Sequence, residues 1–259
     1  MTAVLAFDIE TVPDCAGIRR LYGLPDSLPD AEVAEVAFQK RRTQTGHDFL
    51  APQLHRVVVI SCVLRDAEGL RIWSIGEPED GEAAAIQRFF DGVDKLVPQL
   101  VSWNGGGFDL PVLAYRGLAH GVQAAKFWEQ GDDDRDFRWN NYVSRYHARH
   151  LDLMDVLAMY QPRNNAPLDE VAQIAGLPGK IGIGGAAVWG AYLDGRIGDI
   201  RAYCEADTAN TYLLWLRFQR LRGILTAKQF LAECALVRTT LGRQSEPHWR
   251  EFLALWKED

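Results

Sequence analysis

Two acidic side chains directly follow the first apolar stretch of the chain. Residues 4–7 (VLAF) are typical of a buried β-strand, and Asp8, Ile9 and Glu10 continue it. Because side chains alternate between the two faces of a strand, Asp8 and Glu10 project from the same face and repel one another. Either they lie at a solvated strand end or a cation neutralises them, and residues further along the chain favour the second explanation.

Composition predicts an ordinary globular chain. Its 259 residues are 47% hydrophobic and 24% charged, which is enough to build one large α/β domain with a filled core. The formal net charge of −7 argues against a protein that holds nucleic acid by its overall field. A local site remains compatible with this charge, because bound metal ions and a basic patch can neutralise and hold a polyanion.

The order of predicted elements describes a mixed sheet flanked by helices. Residues 56–64 and 70–75 alternate as a hairpin, and residues 99–103 form a further short strand. Segments 13–29 and 43–53 have turn and loop character, and residues 121–150 are the least regular part. Periodicity and capping signals predict the helices 30–42, 79–97, 111–119, 150–160, 168–175, 197–221, 226–241 and 247–256.

Four later stretches carry candidate functional residues. Asp109 follows Asn104, three glycines and Phe108, in a segment that suits either a helix cap or a ligand-binding loop. Tyr203 and Asp207 are four residues apart and therefore stack on one helix face. Asp152 suits a first-turn helix acid better than a catalytic acid. Aromatic residues within 121–150, interspersed with arginines, either anchor a long insertion or stack unpaired bases.

Together these motifs resemble the DEDD exonucleases of the ribonuclease-H-like superfamily. Tyr203 stands four residues before Asp207, with Ala at 202, which is similar to the DEDDy branch. The motifs Asp-Ile-Glu-Thr, Asn-x-x-x-Phe-Asp and Tyr-x-x-x-Asp most resemble the proofreading exonuclease domain of family-B DNA polymerases. They are also similar to stand-alone bacterial proteins predicted to be exonucleases of this type. The resemblance also includes residues 150–153, 177–180 and 203–212, so that it covers residues 3–222.

The resemblance implies a fold and a domain organisation. It predicts an α/β protein with a ribonuclease-H-like mixed β-sheet flanked by helices, followed by extra C-terminal helices. Residues 1–222 would form the exonuclease domain, and residues 223–259 a helical extension packed on that domain. No polymerase domain is expected in the chain.

The resemblance also implies an activity and its residues. The chain is expected to hydrolyse phosphodiester bonds at the 3′ end of single-stranded DNA or RNA, with DNA favoured, and to release nucleoside 5′-monophosphates. Two divalent ions, Mg²⁺ or Mn²⁺, would be held by Asp8, Glu10, Asp109 and Asp207. Tyr203 would orient the attacking water, and the predicted substrate contacts are Thr11, Asn104 and Phe108.

Two other functions stay open at the level of sequence. One is a phosphodiesterase that acts on very short oligonucleotides, and the other is a nucleic-acid-binding module without catalysis. The four cysteines, at 15, 62, 204 and 234, are far apart and suit buried thiols in a reducing compartment. With no signal segment and no membrane span predicted, we expect a cytoplasmic protein whose partners are nucleic-acid ends, not membranes.

Overall fold

A computed structural model describes residues 2–76 and 80–257, and within these ranges the chain builds a mixed five-stranded sheet. The strands lie in the order β3-β2-β1-β4-β5. β1 pairs antiparallel with β2 and parallel with β4, while β2–β3 is an antiparallel hairpin and β4–β5 is parallel. The strands are β1 Val4–Pro13, β2 His55–Asp66, β3 Gly69–Ile75, β4 Gln99–Ser102 and β5 His150–Asp152.

Helices cover both faces of this sheet, so the predicted α/β class with a ribonuclease-H-like mixed sheet is confirmed. Among the helices of the described residues, none has both the length and the apolar character that crossing a bilayer demands. The helices are α1 Cys15–Tyr22, α2 Asp30–Thr45, α3 Gly81–Leu96, α4 Asp109–His120, α5 Ala125–Trp128, α6 Leu153–Leu157, α7 Leu168–Ile174, α8 Val188–Leu193, α9 Ile197–Leu221, α10 Ala227–Leu241 and α11 Pro247–Leu255.

The central strand β1 separates two layers of the core. Its side chains alternate, so Phe7 packs with Phe89 of α3 on one face, and Ala6 packs with Ala206 of α9 on the other. The C-terminal helices join the α9 layer, where Phe230 and Phe252 are fully buried. The same layer therefore contains residues from β1, α9 and the last two helices.

Three local predictions are wrong. Segment 13–29, predicted to be turn-rich, contains α1, whose first turn is capped by the Asp14 side chain accepting from the Gly17 N–H at 3.1 Å. Segment 150–160, predicted as one helix, begins with β5, because parallel pairing with β4 extends its first residues. α8 was also missed. The predicted start of helix 79–97, Glu79, lies outside the described residues.

The segment 121–150 is mostly irregular, as predicted, and it is anchored by buried rings. Phe127, Phe137 and Tyr142 are buried in the α3 layer, and the Tyr142 hydroxyl donates to the Pro98 carbonyl at 2.6 Å. Trp139 and Tyr146, in contrast, are largely exposed. The buried rings thus account for how the segment is attached, whereas the exposed rings have no role in the core.

Candidate active site

The two acids of β1 lie on the face of the sheet that packs against α9. Ala6 shares a core cluster with Ala206. Because every second residue of a strand lies on the same face, Asp8 and Glu10 lie on the same face as Ala6. Glu10 is buried and Asp8 is half-buried. The pairing of β1 with β2 becomes irregular between Glu10 and Thr11. Such an irregularity changes the direction of the strand, here at the point where it passes the two acids.

Asp109 approaches the same two acids from α4. It is the first residue of that helix, and its buried Oδ1 accepts a hydrogen bond from the Ile9 backbone N–H at 3.1 Å. The carboxylate therefore bonds across to β1, at the residue between Asp8 and Glu10. The alternative of a simple helix cap does not describe this contact, because the cap position belongs to Phe108.

Tyr203 and Asp207 face the β1 acids from one side of α9. Both side chains are buried. Because they are one helical turn apart on the same face, they are hydrogen-bonded to one another. Among the described residues, Oδ1 of Asp207 has no hydrogen-bond partner although it is buried. A buried carboxylate oxygen without a hydrogen-bond partner is energetically unfavourable, so a bound cation or a proton would stabilise this atom.

The electrostatics of the four acids reflect their convergence. Burial and the charges of Asp109, Glu10 and Asp207 raise the pKa of Asp8 well above its ordinary value. Burial and the charges of Asp207 and Asp109 likewise raise the pKa of Glu10. Each acid thus makes its neighbours harder to ionise, which is the behaviour of carboxylates that share one site.

The pKa values of Asp109 and Asp207 are raised less than those of Asp8 and Glu10. Burial raises the pKa of Asp109 to about 7, and the Ile9 N–H bond opposes this rise because it favours the charged form. Burial also raises the pKa of Asp207 to about 7, opposed by the bond from Tyr203 and by the charge of Lys180. Near neutral pH the protein alone therefore holds these two acids only partly ionised.

Lys180 and Cys204 complete the surroundings of the acids. Lys180 lies on the glycine-rich loop before α8, is exposed, and places its Nζ 6.0 Å from the centre of the Tyr203 ring. Its charge lowers the pKa of Glu10. The buried Cys204 thiol lies 3.5 Å from Oδ2 of Asp8, and ligand atoms of Asp8, Glu10 and Cys204 all lie within 4.8 Å of one another.

A tight loop connects β4 to Asp109. Asn104 adopts a left-handed backbone conformation with φ of 64°. At Gly105 a Cβ atom would lie 2.3 Å from Oγ of Ser102, and at Gly107 it would lie 2.5 Å from Oδ1 of Asn104. Gly105 therefore requires glycine, because the added Cβ would also lie 2.5 Å from Cβ of Ser102, whereas at Gly107 the end of the Asn104 side chain would have to move. Gly105 thus has a local structural reason within the tight loop that leads to Phe108 and Asp109.

Asp152 braces this loop from β5. Its Oδ1 accepts from the Asn104 N–H and its Oδ2 from the Gly106 N–H, both at 2.9 Å. It also caps α6 by accepting from the Asp155 N–H at 3.4 Å. The helix-acid interpretation of Asp152 therefore describes the structure better than the catalytic one, with the loop contacts as an addition that the sequence did not reveal.

A cleft of about 580 Å³ opens above the acids. Asp8, Glu10, Asp207 and Tyr203 line it together with the predicted substrate residues Thr11, Asn104 and Phe108. Asp109 is not part of this lining and lies behind it, against the Ile9 backbone. The remaining walls are largely aromatic or apolar: Ile9, Pro13, Phe38, Asp48, Phe49, Leu50, His55, Gly185, Ala186, Val188 and Trp189.

Aromatic rings form one side of the cleft. Phe108 packs edge-on against His55 at 5.0 Å, and Phe49 lies 5.2 Å from Phe108 with more than half of its side chain exposed. Oγ1 of Thr11 is hydrogen-bonded to Nδ1 of His55 at 2.8 Å. Thr11 therefore orients the histidine as well as lining the cleft, and Phe108 is half-buried rather than a core residue.

Sequence reasoning missed His55, Phe49 and Trp189. His55 begins β2 and Phe49 lies in a loop predicted only as irregular, so neither had a local motif. Trp189 belongs to α8, which was itself missed. An exposed aromatic in a polar loop next to a strand was the one available signal for Phe49.

The residues present fit divalent metal ions. Four carboxylates converge with raised pKa values, and one buried oxygen of Asp207 lacks a partner among the described residues. Mg²⁺ and Mn²⁺ prefer oxygen ligands, and carboxylates are their usual protein ligands. The donor set therefore suits hard divalent cations, which would relieve the mutual repulsion of the acids.

Fold and cleft together define the class: an α/β protein of ribonuclease-H-like architecture with a cluster of buried acids beside its central strand. A family model described as a predicted 3′-5′ exonuclease related to the exonuclease domain of PolB matches residues 47–256, and the chain belongs to this family. The match includes Asp109, Tyr203 and Asp207 and begins after β1, which carries Asp8 and Glu10. Comparison with curated proteins gives no match.

Proposed function

We propose that the protein is a DEDDy-type 3′-5′ exonuclease that removes nucleoside 5′-monophosphates from the 3′ end of single-stranded DNA or RNA, with DNA favoured, in the cytoplasm. The observation that carries the proposal is the convergence of four acids: Asp8, Glu10 and Asp207 line an aromatic cleft, and Asp109 lies behind this lining on the Ile9 N–H. Membership of a family of predicted exonucleases supports the same activity.

The acids would hold two divalent ions, Mg²⁺ or Mn²⁺. Asp8 would contact both, Glu10 and Asp207 would complete one site, and Asp109 would serve the other. Such a pair of ions supplies Lewis-acid stabilisation of the attacking and leaving oxygens in an in-line displacement. Without the ions, burial keeps the acids partly protonated, so their role depends on the cations they attract.

Tyr203 would position the attacking water through its hydroxyl. Burial and the charges of Asp207, Glu10 and Asp8 raise its pKa, so the phenol stays protonated and donates a hydrogen bond. It is therefore a poor proton acceptor at neutral pH. Its bond to Asp207 keeps it on the side of the cleft where the acids lie.

The aromatic side of the cleft would receive unpaired bases. Phe49, Phe108 and Trp189 offer ring faces and edges of the kind on which bases stack without sequence preference. Asn104 would add a polar contact to the strand, and Lys180 a cation near the backbone phosphate. A paired end cannot splay its bases into such a cleft, so single-stranded ends are the expected substrates.

End-labelled oligonucleotides test this proposal. Purified protein with Mg²⁺ or Mn²⁺ is incubated with single-stranded DNA and RNA of two to thirty nucleotides, labelled at either end. We expect mononucleotides from 3′-labelled strands and a ladder from 5′-labelled ones. Asp8→Asn should lower the rate at least about 100-fold, because several kcal/mol of charge stabilisation are lost.

A matched control is Asp91→Asn, which makes the same chemical change on the exposed side of α3 and should leave the rate unchanged. Equal activity of wild type and Asp8→Asn would refute the proposed site. Cleavage of dinucleotides alone would instead identify a phosphodiesterase for very short oligonucleotides. Binding of strands without any cleavage by the wild type would identify a binding module.

A further inference from the structure

A cluster of one exposed ring, one half-buried ring and an arginine lies outside the cleft, between the irregular segment and the end of α6. The Tyr146 ring lies 5.0 Å from the Tyr160 ring, edge to face, and the Arg145 guanidinium lies 5.3 Å from Tyr160 and 5.8 Å from Tyr146. Tyr146 is 70% exposed. We call Arg145, Tyr146 and Tyr160 the outer aromatic cluster. A ring with that exposure contributes little to the core.

The backbone that presents Tyr160 is strained. Met159 and Tyr160 have φ of 53° and 58°, so two consecutive residues other than glycine adopt the left-handed conformation. This conformation is unfavourable for L-residues with side chains and persists only where the surroundings hold it. Here it turns the chain after α6 so that Tyr160 meets Tyr146 while Met159 stays 75% exposed. Core packing does not account for that arrangement.

Asp155 holds the cluster in one geometry. Its two carboxylate oxygens both lie 2.7 Å from Nη2 of Arg145, and its backbone carbonyl accepts from the Tyr160 N–H at 2.8 Å. The arginine and the tyrosine are thus fixed from the same residue. Groups that are already held in place lose little conformational freedom when a flat ligand stacks beside them.

The outer aromatic cluster is connected to the cleft wall by hydrogen bonds. A single oxygen, Oδ1 of Asp152, accepts from the N–H groups of both Asn104 and Asp155. Asn104 lines the cleft, and Asp155 carries the cluster. One buried side chain therefore contacts both the cleft wall and the residue that holds the cluster, so the cluster lies close to this wall.

We propose that the outer aromatic cluster is an accessory binding surface for single-stranded nucleic acid, on which bases upstream of the 3′ end stack. This inference rests on the proposed exonuclease function for its substrate class. Stacking suits this protein because a net charge of −7 cannot hold a strand through the overall field. Arg145 adds a cation over the rings, a usual accompaniment of base stacking.

Binding measured as a function of strand length tests the surface. Fluorescence anisotropy with labelled oligothymidylates of two to twenty nucleotides is recorded in EDTA, where cleavage cannot occur. Wild-type affinity should rise with length until the strand reaches the cluster. Tyr146→Ala should then weaken binding of the longer strands roughly 5- to 150-fold, the value of one stacked base, and leave the shortest strands unaffected.

Two variants serve as controls. Tyr146→Phe keeps the ring and should bind like wild type, and Tyr115→Ala removes a half-exposed tyrosine of α4 and should also have no effect. A melting temperature close to wild type for Tyr146→Ala excludes unfolding as the cause.

Unchanged affinity of Tyr146→Ala for long strands would overturn the inference. A protein partner would then be the alternative ligand of this surface. An equal loss at every length would also overturn it, since that would trace the effect to the Asn104 loop. Because this experiment needs no catalysis, its result is independent of the Asp8→Asn test. Failure of the proposed binding surface would not contradict the proposed catalytic site, and failure of the catalytic site would not contradict the binding surface.

Discussion

At the scale of single residues, the buried acids repel one another when no cation is bound. Two carboxylates 4 Å apart repel by about 4 kcal/mol at an effective dielectric constant of 20. The structure relieves this by protonation, since the pKa values of Asp109 and Asp207 rise to about 7. Folding therefore takes up protons at these groups, and stability depends on pH.

The direction of that dependence can be predicted. Because folding raises both pKa values from 3.8 to about 7, the stabilisation by these groups is complete below the unfolded value and is lost as pH rises through 7. In EDTA, the melting temperature should fall by at least about 3 °C between pH 5.5 and 8.5, or ~1 kcal/mol. Differential scanning calorimetry measures this.

The same experiment has an internal control. Asp207→Asn removes one titrating group and one repulsive charge, so it should flatten the curve and raise the melting temperature at pH 8.5. Mn²⁺ should raise the wild-type value more than that of the variant, by binding only the folded state. A wild-type melting temperature that rises with pH would contradict the assignment.

Tyr203 gives a second prediction at this scale. Tyr203→Phe should lower kcat by about 10- to 100-fold, the usual range for loss of one hydrogen bond to a reacting group, with KM little changed. The ratio of wild-type to variant rates should stay constant from pH 7 to pH 10, because the pKa of Tyr203 is raised and the phenol stays neutral. A ratio that changes across this range would indicate proton transfer by the tyrosine.

At the scale of elements, the β4–α4 loop depends on β5. Asp152 accepts the Asn104 and Gly106 N–H groups, and the short strand β5 brings it there by parallel pairing with β4. The loop in turn begins α4 with Asp109, whose carboxylate bonds to Ile9 of β1. One acid outside the cleft thus positions one acid of the candidate site.

Asp152→Ala tests this support. It leaves three partly buried N–H groups, those of Asn104, Gly106 and Asp155, without their acceptor, so urea denaturation should give a loss of about 2–4 kcal/mol in the free energy of unfolding. Activity should fall as well, because Asn104 and Asp109 lose their bracing. Asp91→Ala on the exposed side of α3 is the control and should change stability by no more than ~0.5 kcal/mol. A neutral Asp152→Ala would refute the supporting role.

At the scale of the whole molecule, the last two helices share the α9 layer of the core. Phe252 of α11 and Phe230 of α10 are as deeply buried as the rings of the sheet. Arg65 of β2 is joined to Glu233 of α10 by two hydrogen bonds of 2.9 Å. We propose that residues 223–259 are a helical extension that packs on the domain formed by 1–222.

A core substitution in that extension gives the fourth prediction. Phe252→Ala should destabilise the entire protein by about 3–5 kcal/mol and keep a single unfolding transition, because the cavity opens in the shared core. Leu255→Ala, at a position 48% exposed, should have a small effect. Two separate transitions, with only the smaller one shifted by Phe252→Ala, would show that the extension is an independent unit.

Local patterns determined much of this fold from the sequence. The hairpin of β2 and β3 follows from β-branched alternation, and the bounds of α9 match the helix predicted from periodicity at 197–221. The glycine loop and the acidic motifs were recognisable because each lies within about ten consecutive residues. Elements whose signal is weak were missed: α1 and α8 are short and contain glycine, and β5 has three residues that only pairing with β4 extends.

Only the tertiary structure decided which residues meet. Ile9 and Asp109 are joined by a hydrogen bond across one hundred positions, and Asp152 joins Asn104 to Asp155 through contacts that no local pattern contains. The rings of Phe49 and His55 reach the cleft through packing on Phe108. Sequence patterns report local propensity and the faces of single elements, whereas the neighbours of a side chain depend on how those faces are buried together.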